Sequence, residues 1–333
     1  MQPMSRLMGL FAAPLLPALV ATSTAQDANI GLPVADLEQL FAAEPLVITQ
    51  AEISRPKAKG DITLRAEVSF GGAAPLRAKL RKAEPGADSL NNVPRYDRAA
   101  YELQKLFLDP AEYVAPPTAL RMVPLADFAK YSAGVARTFP AADQVLAVVK
   151  YWLSDIQVVE DVYSPERFAA DPVYARHIGQ LNVFTYLIRH GDSNVGNFLL
   201  GKAEVGARAF SIDHGVAFAS EESDRGNKWR DMRVDRLPAD TIERLRNITP
   251  QLLADRLGVL AQWRLEGRSY VPVAGGKNLS ENRGVRRVGN ELQMGLNKSE
   301  IREVHRRLMR PLERVDRGAI TMVPAAATTA KSP

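Results

Sequence analysis

The feature that most constrains the fold is a change of hydrophobic period partway along the chain. From about Leu46 to Ala83 apolar and polar residues alternate, as in "DITLRAEVSF" (61–70) and "LRAKLRKA" (76–83), with "GGAAP" between them. Period two broken by Gly and Pro predicts antiparallel pairing. The stretch "PRYDRAAYELQKLFLD" (94–109) switches to helical spacing: Tyr101, Leu103, Leu106 and Phe107 form an apolar stripe behind Pro94. Two further strands are expected in "VAPPTALRMVPLA" (114–126) and "VLAVVKYWLSDIQVV" (145–159). Beyond them, "DPVYARHIGQLNVFTYLIR" (171–189) patterns as a helix, and helical periodicity is expected to dominate from Asp240 to about Arg317. Strands first and helices later imply an α+β chain of two lobes, with the cleft between them as the natural site.

Two polar-loaded stretches lie between apolar flanks in the second half. "LIRHGDSNVGNFLL" (187–200) holds His190, Asp192 and Asn197, and "FSIDHGVAF" (210–218) holds Asp213. A carboxylate able to orient a hydroxyl, with an amide oxygen five residues later and a second carboxylate at a strand end, is what metal-assisted phosphoryl transfer needs. The apolar flanks anchor both stretches on packed elements, which holds the polar groups steady in a cleft.

These stretches resemble the catalytic loop of the aminoglycoside phosphotransferase branch of the protein-kinase-like superfamily, His-x-Asp-x-x-x-x-Asn, followed by its metal-binding segment. The Ile-Asp-x-Gly form is also similar to phosphoinositide lipid kinases, HipA-type kinases and secretory-pathway kinases. The resemblance spans about residues 46–220 and implies a small antiparallel-sheet N-lobe with one helix over 26–157. A larger, mainly helical C-lobe is implied over 158–323. It further implies that Asp192 is the catalytic base, that Asn197 and Asp213 ligate Mg²⁺ or Mn²⁺, and that His190 braces the loop. Lys79 would hold the phosphates of ATP and Glu102 would be its ion-pair partner. Period two puts Arg77, Lys79 and Arg81 on one face of their strand, so the strand alone does not single out Lys79. The chain departs from the superfamily pattern in having no Gly-x-Gly-x-x-Gly loop before Lys79. The turn there, "SRPKAKGD" (54–61), offers Lys57 and Lys59 to phosphate instead.

Trp152 falls where a strand leading to the inter-lobe hinge would border a nucleotide base. His214, next to Asp213, reads as a packing residue. In the run 301–317, Ile301, Val304, Leu308, Leu312 and Val315 make one stripe, so its many arginines are the solvated face of a packing helix.

The implied activity is an ATP-dependent kinase acting on a protein or small-molecule hydroxyl. The other reading is a pseudokinase-like binding or scaffold protein that keeps the fold without turnover. The charge balance, 43 Lys+Arg against 38 Asp+Glu, is dispersed along the chain and does not call for a nucleic-acid partner. The start has the order of a secretory signal: Arg6, an apolar run from Leu7 to Ala21 interrupted by Pro14 and Pro17, and small residues ending at Ala25. Cleavage after Ala25 and export to a periplasm or the exterior are expected, with no integral membrane segment in the mature chain. Cysteine is absent, which excludes disulfides, thiol catalysis and thiolate metal sites. The tail 324–333 has the composition of a disordered segment.

Overall fold

The computed structural model describes residues 29–43, 45–54, 62–89, 92–202, 208–218, 226 and 228–324. The expected signal segment 1–25, Lys57, Lys59 and all of the expected tail except Pro324 lie outside the described residues. The architecture is mixed α+β, with eight α-helices among the described residues.

After α1 (Val34–Ala42) come β1 (Leu46–Ile53), β2 (Thr63–Phe70) and β3 (Leu76–Lys82), the alternating stretch of the sequence. Then follow α2 (Pro94–Gln104), β4 (Thr118–Pro124), the short α3 (Leu125–Ala129) and β5 (Gln144–Tyr151). The five strands form one antiparallel sheet in the order β1-β2-β3-β5-β4. Leu64, Val68, Leu80, Ala147 and Val149 point to one face and bury against Phe41 of α1 and Phe128 of α3. Alternation sends the intervening residues to the other face. There Lys79, Arg81 and Lys150 stand beside the apolar Leu146 and Val148, and Lys79 lies directly opposite Lys150 in the strand pairing.

The expected strand 145–159 divides in two: β5 ends at Tyr151 and β6 (Ile156–Val158) begins a different sheet. Asp155, between them, has φ +47, a backbone turn that redirects the chain. Helix α4 (Pro165–Ala170) is capped by Ser164. Helix α5 (Pro172–Leu187) has Pro at its first turn and Asp171 as N-cap, accepting from the backbone of Val173 and Tyr174. It is the centre of the largest core, where Leu181, Phe184 and Leu187 pack with Leu103 and Phe107 of α2. The strand β7 (Phe198–Gly201) pairs with β6 and with β8 (Ala209–Ser211), giving a three-stranded antiparallel sheet between the two polar stretches.

The remainder contains β9 (Arg236–Pro238), α6 (Ala239–Arg246) and α7 (Pro250–Leu257). Here the sequence expectation needs correction: helical structure does not dominate 240–317. Residues 261–294 form β10 (Ala261–Glu266), β11 (Ser269–Val273), β12 (Val285–Val288) and β13 (Glu291–Met294), a four-stranded antiparallel sheet in the order β11-β10-β13-β12. Its two tight hairpins turn at Gly267 (φ +59) and Gly289 (φ +58), where the left-handed backbone costs a glycine nothing. This sheet buries Trp263, Tyr270, Leu292 and Met294 against Leu120, Met122, Leu146 and Val148 of the first sheet, on the face that carries Lys79.

The last helix, α8 (Lys298–Asp316), starts with a capping box between Asn297 and Glu300, and its stripe Ile301, Val304, Leu308, Leu312 and Val315 is buried as its spacing requires. Arg307 donates to the carbonyl of Leu187 at the end of α5 (2.8 Å), satisfying a helix C-terminal acceptor. Glu300 also receives Arg95 Nη1 at 2.6 Å and the Tyr96 hydroxyl at 2.5 Å, which pins the start of α2 to the start of α8. The chain closes with β14 (Thr321–Val323), parallel to β9. Among the described residues no helix is long and apolar enough to cross a membrane.

Candidate active site

Three cations on the first sheet define one wall of the site: Lys79 and Arg81 of β3 and Lys150 of β5 share a face because of strand alternation and register. Helix α2 lays a carboxylate across them. Pro94, Tyr96, Ala100, Tyr101, Leu103 and Gln104 give α2 a buried face, and Asp97 is the acid on that face. Its Oδ1 accepts from Lys150 Nζ at 2.7 Å and from the backbone N–H of His214 at 3.0 Å, while Oδ2 accepts from Arg81. Burial by itself would raise the Asp97 pKa, but Arg81 and Lys150 outweigh it and hold the carboxyl well below the usual range.

The opposite wall is the turn after β8. Asp213 takes φ +60, a left-handed conformation that is strained for a residue with a Cβ. That turn aims its carboxylate back at β3, where Lys79 Nζ donates to Oδ1 at 2.6 Å and Oδ2 at 2.7 Å. Lys150 stands 4.0 Å away. Desolvation would raise the Asp213 pKa, yet Lys79, Lys150 and Arg81 drive it far below the carboxylate norm. Lys79 is itself pulled below the ordinary lysine value, by burial first and then by Lys150, with Asp213 opposing. The next residue but one, Gly215, cannot carry a side chain without conflict: a Cβ there would lie 2.7 Å from an Arg81 guanidinium nitrogen.

Residues 188–197 connect to this turn by backbone bonds. Gly191 N donates to Val216 O (2.9 Å) and Phe218 N to Ile188 O (2.5 Å), so the two polar stretches lie side by side. Asn197 joins them: its side-chain nitrogen donates to the carbonyl of Asp192 (2.8 Å), and its own carbonyl accepts from Ile212 N (2.9 Å), one residue before Asp213. Asn194 Nδ2 donates to the Asp192 carboxylate at 2.8 Å and orients it. His190 is fully buried, its ring 5.7 Å from Phe198 and 5.3 Å from His214. Burial pushes its pKa down to about 4, so it is neutral at ordinary pH, and His214 is pushed well below its usual value for the same reason.

Lys79 thus meets Asp213, and His190, Asp192 and Asn197 lie in the segment hydrogen-bonded to the Asp213 turn. Glu102 is not among them. It lies on the less buried side of α2, bonded to Arg98 at 2.7 Å and Lys105 at 3.2 Å. The expected Lys79–Glu102 pair is therefore corrected: Lys79 pairs with Asp213, and the acid delivered by α2 is Asp97, which serves Arg81 and Lys150. Sequence reasoning missed Asp97, Arg81 as its partner, and Lys150. The signal for Asp97 was an acid placed one residue from Tyr96 and three before Ala100, inside the apolar stripe.

Counted formally, Lys79, Arg81 and Lys150 face Asp97 and Asp213, an excess of one positive charge in a partly desolvated place, which suits an anion. Among the described residues no group of three or more His, Asp or Glu could hold a metal alone. Mg²⁺ or Mn²⁺ bound together with phosphate would draw on two protein oxygen donors here. Asp213 would supply a carboxylate, both of whose oxygens bond Lys79, and Asn197, its nitrogen committed to the Asp192 carbonyl, would supply its amide oxygen. Magnesium commonly uses one or two protein oxygens and completes its shell with phosphate and water. Compared with known proteins, the chain matches no protein-family model and no curated sequence.

Proposed function

We propose that the protein is a phosphotransferase of the protein-kinase-like type, its N-terminal sheet and α2 forming one lobe and the chain from 158 onward the other. The observation that carries this reading is the meeting of Lys79 from the first sheet with Asp213 at 2.6 Å, beside an Asp192–Asn197 unit hydrogen-bonded to the same turn. The substrates are a nucleoside triphosphate and a hydroxyl on a protein or small molecule. A divalent ion held by Asn197 and Asp213 would neutralise charge on the transferring phosphoryl group.

The chain's own residues divide the remaining work. Lys79 releases one Asp213 oxygen and holds phosphate oxygens with charge-assisted bonds. Asp97 keeps Arg81 and Lys150 fixed, so that the wall behind Lys79 does not reorganise when the anion binds. Asp192, oriented by Asn194, accepts the hydrogen bond of the acceptor hydroxyl and takes its proton as the oxygen attacks. The order of segments at the N-terminus supports an exported protein.

The alternative, a binding or scaffold protein, draws support from the missing Gly-x-Gly-x-x-Gly loop before Lys79. Transfer of a labelled γ-phosphoryl group to water and to a panel of hydroxyl acceptors decides between them. Kinase function predicts transfer by the parent and at least ~100-fold less by Asp192→Ala, with nucleotide binding retained. Binding without transfer in the parent, against every acceptor, would favour the scaffold.

A further inference from the structure

The face of the first sheet that carries Lys79 continues in one direction into an open, polar surface. Toward Arg81 it is closed by Asp97 and α2. Toward Arg77, two residues or about 7 Å along β3, it is exposed. The pairing of β1, β2 and β3, with the bond from Trp152 N to Arg77 O (3.1 Å), sets Gln50, Glu67 and Arg77 in a row across three strands, continued by Trp152 one residue beyond β5. The next row holds Glu52, Arg65, Lys79 and Lys150. Gln50, Glu52, Arg65, Glu67, Arg77 and Trp152 of these rows line a cleft of about 250 Å³, and Lys79 follows Arg77 on the same face of β3 outside that lining. Over the Trp152 indole stand the guanidinium carbons of Arg77 at 5.1 Å and Arg65 at 5.9 Å from the ring centroid. Among the described residues neither Arg77 nor Glu67 is held in an ion pair, whereas Arg65 reaches Glu52 at 3.4 Å.

We infer that this cleft is the base subsite of the nucleotide site proposed above, on which this inference rests, and that it selects guanine over adenine. With phosphates on Lys79, a mononucleotide has the open Arg77 side to extend along, and Trp152 offers a flat ring for its base to stack on. The hydrogen-bonding groups around that ring determine which base fits. Arginine is a donor only, and its forked N–H groups match the adjacent O6 and N7 acceptors of guanine, whereas adenine offers N7 beside a donating amino group. A carboxylate accepts only, and suits the N–H groups of the guanine pyrimidine edge. Arg77 is one strand from Trp152 and Glu67 two strands, about 5 and 10 Å. Gln50, the side chain able to satisfy adenine with both a donor and an acceptor, is three strands away, about 14 Å. Arg77 and Arg65 sit on long flexible stems and can leave the indole face for the base edge as the base takes their place.

The test is calorimetric titration of the full chain with GTP and with ATP in the presence of Mg²⁺, repeated on Glu67→Gln, Arg77→Ala and Trp152→Leu. The expected result is GTP bound at least about tenfold more tightly than ATP, one good bidentate or paired contact's worth of discrimination. Glu67→Gln and Arg77→Ala should each erase most of that preference by weakening GTP, and Trp152→Leu should weaken both nucleotides. Trp152 fluorescence gives a second readout: Trp229 and Trp263 are buried, so quenching by GTP should vanish in Trp152→Leu. ATP binding as tightly as GTP, or a preference indifferent to both Glu67 and Arg77, overturns the base assignment while leaving the nucleotide site intact. Binding of neither nucleotide to the parent overturns the nucleotide reading itself, and the base assignment with it.

Discussion

Replacing Asp97 by Asn removes one negative charge from beneath two buried cations. The Asp97 side chain is fully buried, and Arg81 and Lys150 are only 8% and 5% exposed. The neutral amide can still accept from His214 N, but three cations would then face Asp213 alone, and the formal excess rises from one to two. Breaking a buried ion pair from one side costs about 3–5 kcal/mol, because the abandoned charges stay desolvated. For a chain of this size that corresponds to a fall in Tm of roughly 6–10 °C. The comparison is Glu102→Gln, whose partners are more exposed and whose neighbour Lys105 keeps Glu38 at 2.8 Å. A cost of at most about 1 kcal/mol is expected there. The pH dependence carries its own sign. The folded pKa of Asp97 is depressed, so its contribution is complete above the ordinary aspartate range near pH 4 and is lost as pH falls through the lower folded value. Urea denaturation followed by circular dichroism between pH 3 and 7 should therefore show the parent and Asp97→Asn converging below about pH 4. If Asp97→Asn is no more destabilising than Glu102→Gln, or if the gap is flat with pH, the account of α2 as a buried electrostatic clamp is wrong.

Other outcomes follow from the same geometry. Gly215→Ala should displace Arg81, because its Cβ would sit 2.7 Å from that guanidinium, and should lower Tm and nucleotide affinity together. Since His190 has a folded pKa of about 4 against an ordinary 6.5, the parent should lose stability as pH falls from about 6.5 to 4. His190→Gln should flatten that part of the profile in the same denaturation series. Glu300→Gln leaves Arg95 buried with a weakened partner and should destabilise by about 3 kcal/mol, read as a shifted urea midpoint with an unchanged slope.

Much of this was legible in the sequence where one period or one short spacing governs the outcome. The alternation of residues 46–83 gave β1 to β3 and put Arg77, Lys79 and Arg81 on one face. The spacing of Asp192 and Asn197 within one loop placed them together because a single 3₁₀ turn links them. Contacts between distant segments were harder. Asp97 and Glu102 are five residues apart on one helix and point to different sides of it, so a choice between them depends on how α2 rotates against the sheet. The apolar stripe held that information, with Asp97 inside it. Residues 261–294 misled for a different reason: short strands of four to six residues between helices carry little periodic signal. The Gly-Arg and Gly-Asn turns at 267–268 and 289–290 were the local evidence for hairpins, flanked by alternating Trp263 and Leu265 on one side and Leu292 and Met294 on the other. In sequence Lys150 is one cation in an apolar strand, and its role emerges only from its pairing opposite Lys79.

The most direct test of the central claim is a thermal-shift titration of the parent and Asp213→Asn with GTP and ATP, each with and without Mg²⁺ or Mn²⁺. A ligand at 100 times its Kd adds about 2.7 kcal/mol of stability, a shift of several degrees. The expected result is metal-dependent stabilisation of the parent by at least one of the two nucleotides, abolished in Asp213→Asn. Failure of both nucleotides to stabilise the parent with either metal, or an equal shift in the variant, would contradict it.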